Sequence, residues 1–325
     1  MKIARIDQFG SPDVFRILDV PRPEIDADEV LVRVHASGVN FFEVLMRQDR
    51  YAVTPQLPMT FGVEVAGTIE AAGRDVDIET GSRVVVPLFA IGRDGGYADY
   101  IVVKAAAVIP LPDAISFDAG VACLVQGLTA LYAVRRASPR GKSVLVTAAG
   151  GGVGTLLIQL AKIAGAAHVV ALAGSDEKLE LALSLGADMA IDHRDGKWLS
   201  RWPETGPESR VDIVYDFVGG ALTNTLASVL APAGTLLFGA LGRFSLDNET
   251  INGLLAKSQA IEGLALLPLV QASDLRRDLA ELFDLIAAGR LTPVIGGRFP
   301  LERAGDAHRL IESRASTGKV VLTPG

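Results

Sequence analysis

The stretch VLVTAAGGGVGTLLIQLAK, residues 144–162, runs from an apolar strand-like segment through glycines into a helix-compatible segment. Read as A-x-x-G-x-x-G, it puts Ala148, Gly151 and Gly154 at the fixed positions. Glycines there let the backbone turn sharply and approach a pyrophosphate, and the following helix offers N–H groups and the positive end of its dipole to that anion. The same letters suit an ordinary glycine-rich turn; the strand before and the helix after it favour dinucleotide binding. Which dinucleotide is read at the end of the next strand, where an acid about 20 residues past the motif would hold a ribose 2′-hydroxyl. Here that strand ends Ala173-Gly174-Ser175, with Lys178 one turn on. A carboxylate about 4 Å from a 2′-phosphate would cost several kcal/mol at a partly buried site. Room at Gly174, a hydroxyl on Ser175 and a positive charge on Lys178 therefore favour NADPH over NADH. Asp176 is the competing acid, and in a first helical turn it is expected to face solvent. Ser175 also suits a helix cap, and Lys178 a surface position.

The surrounding chain must supply elements that hold such a turn. Residues 1–117 read as short β runs (30–34, 63–69, 83–87, 98–103) punctuated by Gly62, Gly67, Gly73, Gly81 and Gly95-Gly96, which suggests an antiparallel barrel or sandwich. From about 118 strands and helices alternate: strands at 143–147, 168–173, 213–217 and 234–238, helices at 154–164, 176–185 and 222–230. The continuous apolar strands suit a parallel sheet covered on both faces. A helix at 275–288 ends at Gly289, and a mixed tail follows, with a strand at 298–301, a helix at 303–312 and a strand at 319–322. The expected organisation is 1–117, 118–288 and 289–325, the last returning to the first domain.

With 325 residues the chain exceeds what one core normally organises, roughly 250–300 residues. It is 49% hydrophobic and 21% charged, a compact globular composition. Its net charge of −7 disfavours nucleic-acid and anionic membrane partners. Two charge-free runs, 143–161 and 217–242, are broken by glycines or proline and read as strand–turn–helix units rather than membrane spans. No signal peptide is visible, and the single cysteine, Cys123, excludes an internal disulfide; a reducing, cytoplasmic setting is expected. Cys123 stands in an apolar run, as a packed core thiol does.

From end to end the chain resembles the zinc-free quinone oxidoreductase (zeta-crystallin-like) branch of the medium-chain dehydrogenases/reductases. The matching stretches are GVN (38–40) with Glu43 and Arg47, FGVEVAG (61–67), GGYADY (95–100), QGLTA (126–130), AAGGGVG (148–154), GSDEK (174–178), DHR (192–194), VYDFVGG (214–220) and ESRASTGKVVL (312–322). The resemblance implies an α/β protein: a GroES-like β-barrel catalytic domain plus a Rossmann cofactor domain with a doubly wound parallel sheet. It implies that Asn40 lies beside the nicotinamide and Thr129 near the diphosphate. Gly150, Gly151, Gly152 and Val153 match the phosphate-binding turn, and Gly174, Ser175, Lys178 and His193 the 2′-phosphate and ribose region. Phe238, Gly239 and Leu241, with Leu264 and Leu266, match strand ends lining the nicotinamide ribose; Arg314 and Lys319 sit where the tail approaches the cofactor. A homodimer joined at the cofactor-domain sheet edge is a further implication. Outside the resemblance Asn40 also suits a turn, Thr129 a helix cap, His193 the surface, and Phe238 and Leu241 any core.

The zinc-dependent branch needs Cys and His ligands around its substrate. At those positions this chain has Asn40 and Val63, and the cysteine-rich structural loop is missing. No metal is expected. Without a Lewis acid an alkoxide is poorly stabilised, whereas a quinone or an alkene conjugated to a carbonyl accepts hydride with less help. Asn40 is the candidate orienting donor and Tyr51 the candidate proton donor; Tyr51 also suits packing beside Pro55 and Pro58. The family's tyrosine two residues before Arg47 is Leu45 here, and Asp49 stands in place of a glycine, so an apolar enone, an alkenal or an enoyl intermediate of a biosynthetic pathway competes with a quinone. A non-catalytic, crystallin-like NADPH-binding protein is the reading from another class.

Overall fold

The computed structural model describes residues 1–194, 196–204, 209–240 and 245–325. They form two compact units, Met1–Gln126 with Val270–Gly325, and Gly127–Leu269. The division thus falls at 126/127 and 269/270 rather than at 117/118 and 288/289. The reason at the second boundary is visible in the helix Ala272–Ala287: its Arg276 Nη2 donates to Ala106 O at 3.1 Å and Val108 O at 2.8 Å, fastening it to the first unit.

In the first unit a sheet is ordered Ile295–Pro300, Lys319–Thr323, Glu29–Val39, Val65–Ala72, Arg83–Val86, Ile109–Pro110, and Tyr100–Lys104 also pairs with Glu29–Val39. The long strand Glu29–Val39 carries it because alternate valines (Val30, Val32, Val34) face the core with Val65, Ile69, Val84 and Val86. The tail strand pairs antiparallel to it, Val320 opposite Val39 and Leu322 opposite Ser37. A smaller sheet joins Phe15–Asp19, Lys2–Ile6 and Met59–Thr60.

The second unit holds a six-stranded sheet, ordered Met189–Asp192, His168–Ala173, Ser143–Val146, Val211–Asp216, Leu230–Phe238, Ala260–Gly263, with every neighbouring pair parallel. Numbered in chain order this is 3-2-1-4-5-6, the doubly wound arrangement in which ligands bind beyond the carboxyl ends of the strands. Its central strands are buried on both faces; Val144, Leu145 and Val146 are all fully covered. The helical stretch 117–136 is long and apolar enough to cross a membrane, and 67% of that window is buried inside the protein, as in a core helix.

Candidate functional site

The turn after Ser143–Val146 shows why its residues are small. Ala148 adopts φ 48° and its carbonyl accepts from Gly151 N at 2.8 Å. A β-carbon on Gly154 would run into that same carbonyl. A β-carbon on Gly150 would stand 2.6 Å from Lys178 Cγ, so the lysine stem crosses the turn. Gly151 then caps the helix Gly152–Ile163, in whose first turn Val153 lies, where N–H groups have no acceptor within the helix.

Buried Asp216 ties the ends of the strands around this turn. Its Oδ1 accepts from Thr147 Oγ1 (3.1 Å), Val218 N (2.9 Å) and Gly219 N (3.0 Å), and its Oδ2 from Thr223 Oγ1 (2.8 Å). Sequence reasoning gave Asp216 no role, although the motif VYDFVGG contains it.

Ser175 is the N-cap of Asp176–Ser184, its hydroxyl accepting from Lys178 N at 3.3 Å. Burial pulls the Lys178 ammonium below its ordinary value, partly offset by Glu177. Gly174 has His193 Nε2 and Arg194 Cγ 3.9 and 3.7 Å from the place of a β-carbon. Gly150, Gly174, Ser175, Lys178 and His193 are thus gathered at one corner of the sheet. Asp176 is 90% exposed, as expected of it. Arg194, passed over in the sequence, joins the corner and is bound to Asp192 at 2.6 Å, with Asp176 at 3.6 Å.

Further along the same edge a recess is lined by Phe238, Gly239, Gly263 and Leu264 with Arg136 and Leu269. Leu264 N donates to Phe238 O at 2.8 Å, which aligns the two strand ends. Leu266 lies half-buried in the short helix Leu266–Leu269, and Thr129 half-buried in the first turn of Leu128–Arg136. Leu241 lies outside the described residues.

In the first unit, Asn40 is 3% exposed and N-caps the helix Phe41–Arg47. Its Nδ2 donates to Glu64 Oε1 at 2.8 Å and Glu43 Oε2 at 3.2 Å, and its Oδ1 accepts from Lys319 Nζ at 2.9 Å. Both amide hydrogens are thus taken by carboxylates of the same unit. Lys319, 1% exposed, also donates to Glu64 Oε1. Its ammonium is buried among protein groups of the same unit. Glu64 Oε2 takes Val125 N at 2.7 Å, from the π-helical turn Cys123–Gly127. Glu43 Oε1 accepts from Gly62 N at 3.0 Å; burial and the neighbouring Glu64 push its carboxyl up to about 8. Burial likewise raises the Cys123 thiol, as a core thiol requires. Tyr51 is half-buried with its ring 5.8 Å from Phe42, and burial raises its phenol. Leu45 is buried, and Arg314 is exposed with φ 58°.

Residues 26–113 match the alcohol dehydrogenase GroES-like domain, and residues 185–322 match zinc-binding dehydrogenase. The quinone oxidoreductase of Sus scrofa is 30% identical over 99% of this chain and 97% of its own. The chain belongs to the quinone oxidoreductase family. Among solved relatives, the Escherichia coli quinone oxidoreductase complexed with NADPH superposes with a TM-score of 0.89 at 29% identity, and a mycobacterial protein complexed with NADPH with 0.87 at 32%, each covering 100% of both chains.

Because part of the chain matches zinc-binding dehydrogenase, the donor set decides whether a metal fits. Val63 has no ligand atom, while Asn40 Oδ1 and Glu64 Oε1 are already taken by an ammonium. These residues do not fit a zinc ion. A dinucleotide does fit the second unit, where glycines stand wherever a β-carbon would collide with the turn or with Lys178.

Proposed function

We propose that this oxidoreductase transfers hydride from NADPH to a quinone or an α,β-unsaturated carbonyl, without a metal. The observation that carries the reading is the corner of the second unit. The Lys178 stem lies on Gly150, Ser175 caps beneath it, and Gly174 stands where a hydroxyl-binding acid would exclude a phosphate. Gly150, Gly151, Gly152 and Val153 would hold the diphosphate through backbone N–H groups and the helix dipole. Lys178, Ser175 and His193, with Arg194, would take the 2′-phosphate. Phe238, Gly239 and Leu264 would line the nicotinamide ribose. NADPH held there supplies the hydride.

On the acceptor side Tyr51 is the proton donor in this reading. Its phenol carries a proton at neutral pH, and the ring is supported by Phe42. A buried, apolar Leu45 in place of the family's tyrosine supports an enone or alkenal as an acceptor beside a quinone. The protein would work in the cytoplasm as a homodimer.

The test is cofactor consumption with a panel of quinones and enones, NADPH and NADH side by side. Turnover with NADPH and at least one acceptor is expected. Tight NADPH binding with no turnover of any acceptor would mark a binding protein instead, and equal use of NADH would remove the phosphate site from the account.

A further inference from the structure

A buried ion pair in the first unit, Glu64 with Lys319, has no role in hydride transfer as described so far. Glu64 is 0% exposed and Lys319 1% exposed. An ion pair so deep is costly to desolvate and survives only where further hydrogen bonds complete it. Here they do. Glu64 Oε2 accepts from Val125 N at 2.7 Å, and Lys319 Nζ reaches Asn40 Oδ1 at 2.9 Å. The backbone is shaped to admit the pair: a β-carbon on Gly38 would lie 2.7 Å from Lys319 Cε and collide with the Glu64 carboxylate. Lys319 comes from the tail strand, 279 residues from Asn40, so the contact joins the last element of the chain to the start of the segment that carries Tyr51.

All three polar sites of the Asn40 carboxamide are fixed by this cluster, two donors by Glu64 and Glu43 and the acceptor by Lys319. Asn40 in turn starts the helix Phe41–Arg47, and Glu43 closes that helix start by accepting from Asn40 N at 2.9 Å. A carboxamide with one permitted orientation sets where the helix begins, and hence where residues 41–51 stand. Were stability the only use, a well-packed apolar pair of the same volume would serve as well or better.

We infer that Lys319 and Glu64 are positioning residues, which act through Asn40 to hold the segment 41–51 in the geometry that acceptor reduction requires. The inference rests on Tyr51 and its neighbours bordering the acceptor. Removing Lys319 alone leaves a buried carboxylate without its cation; removing both charges relieves that penalty yet still leaves Asn40 Oδ1 without its donor. The two effects can therefore be separated.

The experiment compares the wild type, Lys319→Met, and Lys319→Met combined with Glu64→Gln. Melting temperature, NADPH affinity by calorimetry, kcat with the best acceptor, and amide hydrogen exchange at residues 40–51 are read for each. Lys319→Met is expected to lower both the melting temperature and kcat. The double variant is expected to regain most of the melting temperature while kcat stays at least tenfold low, NADPH affinity stays within twofold, and exchange at 40–51 stays faster than in the wild type. Recovery of kcat together with the melting temperature, or unchanged exchange at 40–51, overturns the inference. Exchange is measured on the protein without acceptor, so this test stands even if the wild type turns over nothing, a result that would count against the proposed function alone.

Discussion

The stem of Lys178 lies across Gly150, so close that a β-carbon on the glycine would stand 2.6 Å from Cγ and 2.7 Å from Cβ of the lysine. One residue belongs to the glycine-rich turn and the other to the helix Asp176–Ser184. In the proposed function this contact would place the charge that selects NADPH beside the amides that would hold the diphosphate.

Gly150→Ala tests that contact. The clash falls at the root of the lysine side chain, where rotation of its far end gives no relief, so the turn or the helix must shift. Overpacking of this kind costs about 1–3 kcal/mol. A lowered melting temperature is expected, with NADPH affinity falling roughly tenfold and NADH affinity less affected, as read by calorimetry with both nucleotides.

Asp216→Asn tests the tie between strand ends. The carboxylate accepts four hydrogen bonds, from Thr147, Val218, Gly219 and Thr223. An amide turns one acceptor oxygen into a donor and takes away the charge that strengthens the remaining hydrogen bonds, a loss of about 1–3 kcal/mol. The melting temperature is expected to drop by several degrees; an unchanged value in thermal unfolding would contradict the role given to Asp216.

These two cases show which parts could be read in advance. The turn was legible because glycines at fixed spacing between an apolar strand and a helix have few other uses, and Ser175 because caps are local. The cluster of Asn40, Glu64 and Lys319 was not. Nothing local in GKVVL says that its lysine is buried, and its partner Glu64 is 255 residues away. Element types survived while boundaries moved: the strand at 30–34 extends as Glu29–Val39 because the tail strand prolongs its pairing. The domain limit at 117/118 followed a change in composition, whereas the division falls within a continuous helical stretch, 117–136.

The pH dependence of stability follows from two buried groups of opposite sign. Glu43 is raised from 4.5 to about 8, so the folded protein holds its proton longer than the unfolded chain. That contribution is complete below pH 4.5 and is lost as pH rises through about 8. His308, hydrogen-bonded to Tyr97 Oη at 3.1 Å, is lowered by burial from 6.5 to about 3. Its contribution is complete above pH 6.5 and is lost as pH falls toward 3. The two oppose each other between 4.5 and 6.5, and above 6.5 only the Glu43 effect remains. Glu43→Gln is expected to flatten the decline in melting temperature between pH 6.5 and 8. An unchanged slope would place the proton elsewhere.

Tyr51→Phe keeps the ring beside Phe42 and removes only the hydroxyl. With an enone, kcat is expected to fall by about 10²-fold, the lower range for a positioned proton donor. NADPH affinity is expected to be unchanged. Steady-state kinetics with undiminished kcat would return the tyrosine to a packing role.

The most direct measurement is calorimetric titration of NADPH and NADH into the wild type and Lys178→Met. The wild type is expected to bind NADPH the more tightly, and the substitution to weaken NADPH by roughly 10–100-fold, the loss of one charged hydrogen bond, while NADH is unaffected. A wild type that binds both nucleotides equally, or a Lys178→Met protein that keeps its preference for NADPH, would contradict the account.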